Sequence, residues 1–249
     1  MSYPDDDQLA RDLAVAAGDR LLELRAAGGS SDDLRRAGDR GSQEFLAAEL
    51  GRLRPDDAVL SEEAVDDPGR LTAKRVWIID PLDGTREFGE EGRTDWAVHV
   101  ALWERGDLTA GAVALPALSR VYSTAEPPPT PAAAEPDRPL RLVVSRSRPP
   151  EFVTSLADQV GAELVPMGSA GAKACAVIGG EVDAYVHSGG QYEWDSAAPV
   201  AVARAAGLHT SRIDGSRLGY NSEQPWMPDI LICPVGLAPR LLDAISALL

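Results

Sequence analysis

The sequence predicts a layered α/β protein. Helix-like and strand-like segments alternate through the second half, while the first half is helix-rich and carries one antiparallel hairpin. A run that is apolar on both faces, RVWII at Arg75–Ile79, supplies the central strand that such a layering needs. The 249 residues suffice for one large domain or two modest ones sharing a core.

DDDQLARDLAVAAGDRLLELRAAGG places acids where a helix begins and Gly28-Gly29 where it ends, with leucines and alanines at helical spacing between. A second helix is expected over SQEFLAAELGRL, residues 42–53, with Phe45, Leu46, Leu50 and Leu53 on one side. Ala58-Val59-Leu60 reads as a short strand running into Ser61-Glu62-Glu63. DWAVHVALWERGDLTAGAVALP is a hairpin turning at Arg105-Gly106-Asp107. STAEPPPTPAAAEPDRP cannot hold a ladder and marks the internal boundary. After it come the strand LRLVVS, the helix PPEFVTSLADQVG, the strand AELVPM, the apolar helix GAKACAVIGG and the strand DAYVHS. The helix DSAAPVAVARAAG, the strand DILICPV and a last helix, APRLLDAISALL with Pro239 in its first turn, close the chain.

The net charge is -15, from 39 acids against 24 bases. A field of that sign disfavours nucleic acid and anionic lipid as partners. It also repels a phosphorylated substrate unless bound cations invert the local potential. Cys175 and Cys233 are far apart, form no CxxC pair and suit a reducing compartment. The polar N-terminus lacks an apolar signal core, and no run approaches the roughly 18 apolar residues of a membrane span. The expectation is a cytoplasmic protein.

Chemistry concentrates in WIIDPLDGTREF, residues 77–88. Pro81 biases Asp80 toward an extended conformation and is expected to end the strand there. Gly84 permits a sharp turn, and Thr85 can open a short helix. Two carboxylates and fresh helix-end amides then share one loop, a place where a cation can be held against a phosphate. The same residues can also be read as an Asx-capped turn with a surface acid. VLSEE puts Glu62 at the end of the neighbouring strand, although SEEAVDDP also fits an exposed acidic loop. EWDSAAPVAVARAAG puts Asp195 at an expected N-cap, where capping is its simplest task, and Trp194 reads as core.

These stretches, taken in order across nearly the whole chain, resemble the lithium-sensitive, Mg²⁺-dependent phosphatase superfamily of inositol monophosphatases and fructose-1,6-bisphosphatases. Among its branches, LSEE, DPLDGTREF, VVSRSR, KAC and EWDSAA are most similar to the CysQ-type 3′(2′),5′-bisphosphate nucleotidases. The resemblance implies a layered αβαβα sugar-phosphatase-like fold, with mixed sheets sandwiched between helices. Residues 1–140 would form an α+β subdomain with most metal ligands, and 141–249 an α/β subdomain with substrate-binding residues and the last ligand. Glu62, Asp80, Asp83 and Asp195 match side-chain ligands for two or three Mg²⁺ ions, the Leu82 carbonyl a backbone ligand, and Glu63 a supporting acid. Asp39 and Thr85 match a pair that activates the attacking water, with Glu62 orienting it. Asp39 can equally be read as the N-cap of the second helix.

The implied reaction is hydrolysis of the 3′-phosphate of 3′-phosphoadenosine 5′-phosphate (PAP), and by extension PAPS, in sulfate assimilation, with inhibition by lithium. Substrate contacts would come from Asp83, Gly84, Thr85, Ser145, Arg146, Ser169, Lys173, Glu193 and Asp195, with Ser147 and Arg148 nearby. Arg148 as a solvated charge and Lys173 as a snorkelling helix residue are the plainer alternatives. His99, His187 and His209 read as structural, without partners. Inositol monophosphatase or fructose-1,6-bisphosphatase activity is the alternative within the superfamily. An aspartyl-nucleophile phosphatase fits poorly, because two residues separate the acids of D-P-L-D. A non-catalytic metal and nucleotide sensor is the remaining alternative. Expected partners are a small phosphorylated nucleotide and a second copy in a homodimer, without nucleic acid or membrane.

Overall fold

The structure, a computed structural model, describes residues 5–132, 138–147 and 149–249. Asp5 starts α1 (Asp6–Ala27) by accepting the Gln8 amide at 2.8 Å, and Gly28, at φ 77°, ends it. α2 (Ser31–Leu53) begins at the Ser30 cap, eleven residues before the expected start at residue 42. Its first half, SDDLRRAGDRG, has no apolar stripe, and Gly38 would ordinarily weaken a helix. Packing overrides propensity here: a Cβ at Gly38 would fall 2.8 Å from Leu82 and from Phe88, so only glycine lets α2 lie this close. Asp39 is consequently mid-helix and not an N-cap.

The first sheet runs β1 (Ala58–Ser61), β2 (Arg75–Asp83), β3 (Ala97–Glu104), β4 (Asp107–Leu115) and β5 (Arg120–Ser123) in spatial order. β1 and β2 are parallel and the other pairs antiparallel. Arg105 and Gly106, both at positive φ, make the tight β3–β4 hairpin whose twist matches the strands. A short helix, α3 (Thr85–Phe88), follows β2.

The second sheet is built from β6 (Leu140–Ser145), β7 (Ala162–Met167), β8 (Ala184–Tyr192), β9 (Leu208–Ser211) and β10 (Trp226–Pro234), in the order β7-β6-β8-β10-β9. Its helices are α4 (Glu151–Val160), α5 (Ala170–Ile178), α6 (Glu193–Ala205) and α7 (Ala238–Ser246). The four-residue strands β5 and β9 were not expected from the sequence. β8 continues through Gly189-Gly190, and β10 starts three residues before the expected Asp229.

Alternation along β2 sets the layers. Trp77 and Ile79 pack with Leu13, Leu21 and Leu46 of α1 and α2, while Val76 and Ile78 join the core of α5 and α6. That middle core also contains Val143, Tyr185 and Ile230 of the second sheet. Leu142, Val186 and Leu231 face the other way, onto α4 and α7. The order is therefore helices, sheet, helices, sheet, helices: the αβαβα layering.

α6 lies hard against β4 at Gly111, where a Cβ would sit 2.6 Å from that of Ala201. We expect Gly111→Val to cost about 1–3 kcal/mol by overpacking. Calorimetry should register a lower melting temperature, and a divalent cation should bind more weakly because α6 carries Asp195.

Candidate active site

The end of β2 is not a simple strand terminus. Asp80 pairs with His99 and Asp83 with Ala97, so the register slips between them and the strand continues past Pro81. Proline tolerates such a bulge because no ladder donor is needed there. Residues three apart on a regular strand face opposite ways, and the bulge cancels that alternation. Asp195 reaches the same place from the first turn of α6. Ligand oxygens of Asp80, Asp83 and Asp195 all lie within 4.8 Å of one another. Parallel pairing of β1 with β2 delivers Glu62 as well, close enough for its charge to act on Asp80.

Crowded like charges shift protonation. Burial, then the charges of Glu62, Asp83 and Asp195, holds Asp80 well above the usual carboxylate range. Crowding by neighbouring groups raises Glu62, an exposed residue, to about 7, and burial with the charge of Asp83 raises Asp195 to about 6. Asp83 goes the other way, to about 2: burial opposes its charge, but His99, Lys173 and Ser169 outweigh it. It accepts the Ala170 amide at 3.1 Å and the Gly171 amide at 2.6 Å, so it also caps α5. Asp195 is not an N-cap; it is the third residue of α6 and reaches back to the Tyr192 amide at 2.6 Å.

Asp80 Oδ2 is buried and has no hydrogen-bond partner among the described residues. An orphaned acceptor among oxygen-only ligands fits a hard divalent cation. Beside the cluster, the Thr85 hydroxyl lies 3.0 Å from Asp39 Oδ1 and 3.0 Å from the Leu82 carbonyl. Burial raises Asp39 to about 6, against the lowering effect of the Thr85 bond. Gly84, at φ 85°, turns the chain into α3 with Ser169 and Trp96 packed so close that a side chain would crowd them. Glu63 stays exposed, its amide 3.4 Å from Ser61 Oγ.

A cavity of about 400 Å³ adjoins the cluster and shares Asp83 and Asp195 with it. Ser145, Ser169 and Lys173 line it too, so with Asp83 and Asp195 five sequence-predicted substrate residues meet there. Lys173 does not snorkel: it is buried, donates to the Ser169 carbonyl at 2.6 Å, and burial lowers its pKa. Gly84 and Thr85 stand outside its lining, at the Asp39 side of the cluster, and two further candidates are held elsewhere. Arg146 pairs with Glu87 and Glu90, each at 2.7 Å. Glu193 is buried and accepts the amides of Asn221 and Ser222 at 2.6 and 2.9 Å, in a turn that Arg70 also grips. Ser147 lies 3.5 Å from Ser145, and Arg148 falls outside the described residues. A larger cavity, about 690 Å³, opens at the opposite end of β6 and contains none of the cluster acids.

His99 corrects the expectation of partnerless histidines. Its Nδ1 lies 3.0 Å from the Trp194 carbonyl and its Nε2 3.2 Å from Asp83, too obliquely for a good hydrogen bond. A lone polar residue in the apolar run AVHVAL was the available signal, but only the register places it opposite Asp80. His187 and His209 also have partners, the Gly190 carbonyl at 3.0 Å and Ser211 at 2.8 Å. Trp194 packs against the core as expected and stacks on Tyr192. Gln191, Tyr192 and Trp226, also in the cavity wall, carried no signal in the sequence reading.

The sequence pattern of the inositol monophosphatase family matches residues 8–233. The chain belongs to the inositol monophosphatase family. Within it, this member is 51% identical to the 3′-phosphoadenosine 5′-phosphate phosphatase of Mycobacterium leprae, over 96% of this chain and 93% of the relative. It is 30% identical to the 3′(2′),5′-bisphosphate nucleotidase CysQ of Escherichia coli K12, over 89% and 96%. The crystal structure of CysQ from Bacteroides thetaiotaomicron superposes with a TM-score of 0.81 at 27% identity, over 93% and 98% of the two chains. No helix among the described residues is long and apolar enough to cross a membrane.

The protonation pattern gives a test. Acids whose pKa folding raises contribute stability only while protonated. The metal-free protein should therefore lose that contribution as pH rises from the ordinary carboxylate range through about 6 to 7, where Asp39, Asp195 and Glu62 ionise. Asp83, held low, acts oppositely and only in strong acid. Mg²⁺ binding needs those protons released, so it should raise the melting temperature more at about pH 7.5 than at about pH 5. Equal shifts would contradict this assignment.

Proposed function

We propose that this family member is a Mg²⁺-dependent phosphatase that removes the 3′-phosphate of PAP to give AMP and phosphate, and that also accepts PAPS. The observation that carries the reading is the convergence of Asp80, Asp83 and Asp195 beside the Asp39–Thr85 pair. The relatives named as PAP phosphatases support the choice of substrate.

Glu62, Asp80, Asp83, Asp195 and the Leu82 carbonyl would hold two or three Mg²⁺ ions. When bound, these would neutralise the phosphate and stabilise charge on the attacking and leaving oxygens. The Thr85 hydroxyl donates to Asp39 and turns its own lone pair toward the pocket. Glu62 orients water for in-line attack; the water's proton passes to Thr85 Oγ as that of Thr85 passes to Asp39. The new P–O bond forms while the bond to the ribose 3′-oxygen breaks, and that oxygen takes up a proton from solvent to leave as the 3′-hydroxyl. The Gly84 and Thr85 amides and Lys173 hold the phosphates. A base near pKa 6 is ionised at neutral pH yet still takes up a proton. The residue 1–140 and 141–249 halves each contribute to this site, as a subdomain pair. The same reading places the protein in cytoplasmic sulfate assimilation, as a homodimer inhibited by Li⁺.

Asp39→Asn and Thr85→Val should each lower kcat by about a hundredfold or more, with Thr85→Ser recovering most of it. The acid limb of the wild-type kcat profile, near about pH 6, should vanish in Asp39→Asn. Phosphate release should be fastest with PAP in a Mg²⁺ panel that includes inositol 1-phosphate and fructose 1,6-bisphosphate, and Li⁺ should suppress it. Preference for inositol 1-phosphate would overturn the choice of substrate.

A further inference from the structure

We propose that Trp226 and Tyr192 form a stacking wall for the purine base of the substrate, and that the Gln191 side-chain amide donates a hydrogen bond to the same nucleotide. This rests on the PAP reading and assigns the part of the site that would distinguish a nucleotide from a sugar phosphate.

Trp226 is 52% exposed and Tyr192 47%, and among the described residues they are the only large aromatics so open to solvent. Both line the cavity that contains Asp83 and Asp195. They are direct cross-strand partners on β10 and β8. The Tyr192 ring is held in place by stacking on Trp194, with centroids 4.6 Å apart and planes 8° from parallel.

The backbone makes room for the indole. β8 and β10 slip register between Met227 and Asp229, opposite Gly189 and Gly190, which stand at φ 111° and 95°. A Cβ at Gly190 would fall 2.5 Å from Trp226 Nε1, so glycine is required for the indole to lie there.

Gln191, in the same wall, is only 8% exposed, and its Nε2 is buried with no partner among the described residues. A buried amide left unsatisfied is costly, and an acceptor on a bound ligand relieves it. A flat apolar face beside one amide donor matches a purine, whose π-face stacks and whose ring nitrogens accept. An inositol or hexose ring has neither a π-face nor a ring nitrogen to accept that bond.

The test compares kcat/KM for PAP with kcat/KM for 1-O-methylribose 3,5-bisphosphate, which keeps the sugar and both phosphates but lacks the base. Trp226→Leu should lower the ratio of the two by about tenfold to a hundredfold. Trp226→Phe, which retains a stacking face, should hold most of it, and Gln191→Leu should lower it by about tenfold. Because both substrates are read on one preparation, loss of folded enzyme cancels. AMP should also quench tryptophan fluorescence in the wild type and less in Trp226→Phe. An unchanged ratio in Trp226→Leu, with PAP still turned over by the wild type, overturns the stacking wall and leaves the PAP reading standing. Wild-type enzyme that ignores PAP but hydrolyses inositol 1-phosphate overturns both.

Discussion

Mutual repulsion among carboxylates is the constraint around which this protein is built. Asp80, Asp83 and Asp195 come within 4.8 Å of one another, with Glu62 beside them; Asp80 and Asp83 are buried, Asp195 half-buried and Glu62 exposed. Such an arrangement opposes folding unless protons or cations compensate it. Three features of the backbone enforce it. The bulge at Pro81 turns two acids to one side, parallel pairing delivers Glu62, and a glycine contact on β4 seats the helix that bears Asp195. The rest of the stability comes from apolar layers in which Trp77, Phe88 and Trp96 are fully buried.

Helix N-termini share the electrostatic cost. Asp83 accepts two amides at the start of α5, and Asp195 accepts one at the start of α6. Each negative charge therefore sits at the positive end of a helix. Capping and cation binding do not compete, because a carboxylate has lone pairs enough for both. The N-terminal ends of both inter-sheet helices open onto the same cavity.

The cavity has a polar end and an aromatic end. Carboxylates and Lys173 line one; Tyr192 and Trp226 provide flat apolar surface at the other. Arg146 and Glu193, which by sequence looked free to meet substrate, instead brace the surroundings. One ties β6 to the α3 region through Glu87 and Glu90, and the other fixes the turn at Asn221.

The sequence by itself determined the layering, since periodicity and apolar runs report which faces are buried, and it named the acids, since D-P-L-D-G-T and E-W-D carry their residue types and order locally. It misjudged what depends on partners distant in sequence. The early start of α2 rests on Gly38 packing against Leu82 and Phe88, and the role of His99 rests on strand register. The three-residue spacing of Asp80 and Asp83 would separate them on a regular strand, and the bulge that unites them is a property of the β2–β3 pair. The aromatic wall likewise needs β8 and β10 side by side. Tertiary structure alone decided these, because register, close approach and cavity shape are relations between segments that no single segment encodes.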